Sequence, residues 1–200
     1  MEKKVKTNSS FSRELSGGIL REANEEERTV ELSFSSEEPY ERWFGVEVLD
    51  HSDGCVDLER LSSIGCELFN HKRDEVIAKV LEAKCENGRC TAVIQFDKDE
   101  KSDVIYQKVK GGTLKGVSVG YLVSVWEEVA AGKTSSDGRF TGPCSIAKRW
   151  MPYEISIVSI PADPTVGVGR DMDGDEHGRM RGLYGLQLQI NKNRFMKGDR

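Results

Sequence analysis

The ten residues GVSVGYLVSV, 116–125, restrict the fold more than any other stretch of this chain. Side chains on a strand alternate between faces. Val117, Val119, Tyr121, Val123 and Val125 therefore share one face, and Gly116, Ser118, Gly120, Leu122 and Ser124 share the other. The first face is built for burial. The second removes the side chains on both sides of one hydroxyl. Glycine within a strand leaves room for another backbone to approach closely. An enzyme that attacks peptides needs such room, because an extended substrate is often added to a sheet edge.

The rest of the chain supports a sheet. GGILREA and RTVELSF alternate across the polar NEEE turn, and RWFGVEVL (42–49), CELFNH (66–71) and RWMPYEISIVSI (149–160) read as further strands. EVIAKVLEAKCENGRCTAVIQF is a hairpin, since Asn87-Gly88 suits a turn with positive φ at both central residues. CVDLERL fits a short strand or a helical turn. Residues 97–112 predict a helix with Val104, Ile105 and Val109 as its apolar stripe, acidic residues at its start and Gly111 as its stop. PADP, at 161–164, bars further pairing. LYGLQLQI, 183–190, alternates weakly. The expected class is mainly β (α+β), an antiparallel β-barrel-like core with flanking helices. Residues 1–16 read as a flexible N-terminus, 17–169 as the folded domain and 170–200 as a charged, Gly-rich linker or tail.

Charge excludes some functions. The net charge is −5 with both signs interspersed, so no basic stripe supports nucleic-acid binding. No stretch approaches the roughly 18 apolar residues of a membrane span, and MEKKVK lacks the apolar run of a signal peptide. A soluble intracellular protein is expected. Five cysteines without a CxxC pair read as thiols in a reducing compartment, although Cys85 and Cys90 face each other across the Asn87-Gly88 turn. Neither a zinc site nor any other cofactor is expected.

Three histidines, His51, His71 and His177, are the only imidazoles. His51 lies in a turn-like acidic stretch and His177 in the linker, both read as solvated. His71 closes an apolar strand at the rim of a sheet, where it could take the proton that makes a hydroxyl nucleophilic. Glu154 opens the run EISIVSI on the face of Ser156, Val158 and Ile160. A carboxylate entering a β core needs a partner, and an imidazole that turns positive is a suitable one. Asp74 competes for that role from the charged KRDE turn.

Read together, FNH at 69–71, LKGVSVGY at 114–121 and YEISIVSIPADP at 153–164 resemble the prohead (capsid maturation) serine proteases of tailed bacteriophages, a family related to the herpesvirus assemblins. The resemblance spans roughly 28–168. It implies Ser118 as nucleophile, His71 as general base and Glu154 as third member, with Asp74 the alternative. It implies cleavage of scaffold protein, or of the scaffolding segment of the major capsid protein, and of the protease itself. The setting would be assembling proheads in the host cytoplasm, and the partners would include a homodimer mate but no nucleic acid and no membrane. The residues 130–143, rich in Gly and Ser, are candidates for oxyanion donors or for shaping specificity.

Two rivals follow from the residues. A non-catalytic β-barrel module, capsid-associated or ligand-binding, would leave Ser118 and His71 apart. An α/β-hydrolase elbow at Gly116-x-Ser118-x-Gly120 needs a strand-to-helix turn at the serine, whereas here the alternation runs on past it.

Overall fold

The computed structural model describes residues 10–15 and 19–160, with backbone alone at 14, 15 and 19–23. The PADP turn, the linker, His177 and LYGLQLQI lie outside the described residues.

The chain is mainly β. Its strands are β1 (Ser10–Leu15), β2 (Ile19–Asn24), β3 (Thr29–Ser36), β4 (Tyr40–Arg42), β5 (Gly45–Leu49), β6 (Cys66–Phe69), β7 (Lys72–Glu86), β8 (Arg89–Phe96), β9 (Gly116–Val129) and β10 (Cys144–Val158). Two helices, α1 (Glu59–Ile64) and α2 (Glu100–Lys110), complete the described fold. The sheet runs β1-β9-β10-β6-β7-β8-β3-β2, with β5 also on β10 and β4 on β5. It curls into a half-barrel. Most pairings are antiparallel, but β10 runs parallel to both β5 and β6.

Local chemistry explains the main elements. Asn87 and Gly88 have φ of 53° and 71°, as a two-residue hairpin between β7 and β8 requires. Cys85 and Cys90 are directly opposite there and are joined in a disulfide. The thiol reading therefore holds for Cys55, Cys66 and Cys144 alone; the tight turn leaves the other two sulfurs facing each other. In α2, the Asp99 side chain caps the first turn by accepting from the N–H groups of Lys101 and Ser102. Its buried stripe is Ser102, Ile105, Tyr106 and Val109, whereas Val104 is exposed. CVDLERL forms an isolated bridge at Val56 and then α1, with Leu61 buried.

Val117, Val119, Tyr121 and Val123 are fully buried against Ile155, Ile157, Trp150, Phe34 and Ile94. Val125 departs from this face and is half-exposed. Ser10–Leu15, within the segment read as a flexible terminus, pairs antiparallel with β9. Few of its residues are apolar, but β9 offers it a complete row of backbone partners.

Candidate active site

The site starts at a turn. Phe69 pairs with Lys72, so Asn70 and His71 form a two-residue connection from β6 to β7. Their φ values are 52° and 60°, a region uncommon for side-chain-bearing residues but enriched in Asn and His. The turn is fastened to the end of β10. Asn70 N–H donates to the Ile157 carbonyl at 2.9 Å, and Ser159 N–H donates to Asn70 Oδ1 at 2.9 Å. His71 N–H donates to Ser156 Oγ at 3.2 Å.

This places the imidazole over β10. His71 Nδ1 lies 2.6 Å from Glu154 Oε1 and 3.4 Å from Ser156 Oγ. The Ser156 hydroxyl donates to the other carboxylate oxygen, Oε2, at 2.8 Å. A carboxylate accepts only, so Nδ1 carries the proton and the ring's basic lone pair sits on Nε2. Asp74 lies exposed on β7, and Glu154 is the carboxylate that meets His71.

Ser118 is the Cα partner of Ser156 across the β9–β10 pairing. Directly opposed residues have Cβ atoms roughly 5 Å apart on one face. Ser156, the residue opposite Ser118, is in turn the one whose hydroxyl lies 3.4 Å from His71 Nδ1. Ser118 is fully buried, and its hydroxyl donates to the Arg13 carbonyl of β1 at 3.1 Å.

Gly120 is bare for a reason different from the one its sequence suggests. The pairing slips between Pro152 and Glu154, leaving Tyr153 as an extra residue opposite Gly120. A bulge of this kind re-aims side chains. A Cβ on Gly120 would lie 2.5 Å from Glu154 Oε1 and 2.8 Å from Tyr153 Cζ. The space is filled by these two side chains.

Other candidates fall elsewhere. His51 is buried, contrary to the solvated reading: Nδ1 donates to the Leu49 carbonyl at 2.8 Å and Nε2 accepts from Ser35 Oγ at 2.9 Å. Burial lowers its pKa to about 4, so it is a neutral structural histidine. In the 130–143 loop, Arg139 binds Glu37 and Asp50, and Asp137 binds Lys148; this network holds the Asp50 carboxyl well below its usual range despite its burial. Among the described residues, no group of three or more His, Cys, Asp or Glu side chains could hold a metal ion.

Sequence reasoning missed two residues. Ser156 bonds both the turn and the carboxylate; its spacing of two from Glu154 was the available signal. Glu67 is fully buried on β6, and neither carboxyl oxygen has a hydrogen-bond partner among the described residues. Burial, and then the charge of Glu154, raise its pKa far above the ordinary range.

Comparison with known proteins adds independent findings. The family described as Caudovirus prohead serine protease matches residues 57–177. A protein named major capsid protein, from Halomonas phage phiHAP-1, is 40% identical over 146 residues, which are 71% of this chain and 23% of that protein. The chain thus spans about a quarter of that relative. No solved structure matches.

Proposed function

The chain belongs to the caudovirus prohead serine protease family, and we propose that it is an active serine endopeptidase of capsid maturation. The observation that carries this reading is the 2.6 Å contact of His71 Nδ1 with Glu154, set beside the cross-strand partner of Ser118. Glu154 fixes the tautomer and stabilises the imidazolium that forms during the reaction. His71 Nε2 takes the Ser118 proton as Oγ bonds to the scissile carbonyl carbon. The same proton passes to the leaving amine when the C–N bond breaks, and water then releases the acyl group.

Substrates on this reading are scaffold protein or the scaffolding segment of the major capsid protein, and the chain itself. The likeness to a stretch of a protein named for the capsid supports capsid protein as substrate or companion.

A specific observation favours one rival, a non-catalytic β-barrel module: Ser118 is fully buried. One experiment separates the two. Wild type and Ser118→Ala are expressed with the capsid substrate, and both are treated with a serine-directed phosphonate whose adduct is mapped. Processing and an adduct at Ser118 in wild type alone support the protease. Equal processing in both supports the module.

A further inference from the structure

If Ser118 is the nucleophile, its surroundings pose a problem, because a peptide-attacking hydroxyl must be reached by a second polypeptide strand. Here the hydroxyl is fully buried and donates to a carbonyl of the chain's own β1. That bond commits the hydroxyl proton to β1. Among the described residues β1 lies at the end of the strand order and pairs with β9 alone. It sets Ser10, Ser12 and Glu14 opposite Leu122, Gly120 and Ser118. An extended peptide added to this edge of β9 would take the same antiparallel ladder.

We infer that the β9 edge beside Ser118 is the surface on which an extended substrate strand docks, and that residues 10–15 occupy it as an in-chain stand-in that substrate displaces. This rests on the reading of Ser118 as nucleophile. The stand-in also indicates what the surface accepts. Phe11 and Arg13 alternate onto the inward face, away from the Ser118 hydroxyl. The Phe11 ring stacks on Tyr121 at 5.8 Å and meets Trp126 and Phe44 edge-on at 5.9 and 6.0 Å. Arg13 is buried, lies 5.3 Å from the Tyr40 ring centroid and donates to the Glu38 carbonyl. Near it the Glu47 carboxylate, also buried, accepts from Tyr121 at 2.5 Å and from Arg42 at 3.2 Å. Aromatic walls and a buried carboxylate fit an incoming strand with an aromatic residue two positions before a basic one.

The test follows phosphonate labelling of Ser118 in the full chain. Phe11→Ala with Arg13→Ala loosens β1, raises the accessible fraction and speeds labelling about tenfold or more. A peptide of residues 8–16 slows labelling of that variant by a similar factor, and the same peptide with both anchors changed to alanine does not. Ser10→Cys with Leu122→Cys pins β1 to β9; oxidation stops labelling and reduction restores it, while wild type carried through the same cycle is unchanged. If the loosened variant does not fold, as judged by circular dichroism, the pinned pair decides alone. Labelling that is equally fast in wild type and the oxidised pinned chain overturns this inference and leaves the nucleophile reading intact. Labelling in no variant overturns the nucleophile reading itself.

Discussion

Gly120 and Glu154 are Cα partners across the β9–β10 pairing, and the glycine is what lets the carboxylate lie against His71. The bulge at Tyr153 delivers the side chain to that spot. Backbone irregularity on one strand and the missing side chain on its neighbour act as a single device.

Gly120→Ala tests that device. The new Cβ meets both the Glu154 side chain and the Tyr153 ring, so both must shift and Glu154 is pushed off the imidazole. We expect a stability loss of about 1–3 kcal/mol and a fall in Ser118 reactivity of roughly 10–100-fold. Denaturant melts and phosphonate labelling rates measure the two. Unchanged reactivity in a folded variant would show that the contact does not serve the serine.

Glu154→Gln keeps the shape and removes the charge. Peptidase turnover should fall by on the order of 10² to 10⁴, as expected when the imidazolium loses its carboxylate and its tautomer control. Full turnover with the amide would return the third role to Asp74 or to no residue.

Ser156 acts through others, so it is a positioning residue. Ser156→Ala removes the donor to Glu154 Oε2 and the acceptor for His71 N–H. We expect turnover to drop about tenfold, consistent with roughly 1–2 kcal/mol of lost hydrogen bonding, and the acid limb of its pH profile, where the imidazole base takes up a proton, to shift. Ser156→Thr should restore both. A pH profile identical to wild type would reduce Ser156 to packing alone.

Glu67 predicts an unusual pH dependence of stability. Its folded pKa is raised far above the ordinary 4.5, so above that pH the unfolded chain sheds a proton that the folded chain keeps. Stability therefore falls as pH rises from about 4.5. The slope reaches at most about 1.4 kcal/mol per pH unit. Glu67→Gln should remove it, so that the variant gains on wild type as melts move from pH 5 to pH 8. Parallel curves would mean the carboxyl ionises within the fold.

His51 works with the opposite sign. Its pKa is lowered from 6.5 to about 4, so between these values the unfolded chain binds the proton and the folded chain does not. Stability from this group is complete above 6.5 and is lost as pH falls toward 4. His51→Gln should flatten that acid limb without altering turnover per folded molecule. An acid limb as steep as wild type would assign it to other groups.

Much of this arrangement was legible in residues alone. Alternation along 116–125 exposed the buried valine face because a strand repeats every two residues. Asn87-Gly88 announced its hairpin because few dipeptides accept two positive φ values. The family resemblance carried by FNH, LKGVSVGY and YEISIVSIPADP agrees with the family match over 57–177. Val104 misled, since a helical stripe is chosen by what packs against it, and the sheet took Tyr106.

The alternation of 117–123, the Asn87-Gly88 hairpin and the residue types able to do the chemistry could be read locally, because these depend on neighbours a few positions away. Tertiary structure alone decided which chemical groups meet. Glu154 and His71 are 83 positions apart, and only the β10 bulge and the parallel β6–β10 pairing bring them together. The same is true of the cover on Ser118: a polar hexapeptide becomes a strand only where β9 presents an open row of amides and carbonyls, and no local pattern in either segment encodes that edge.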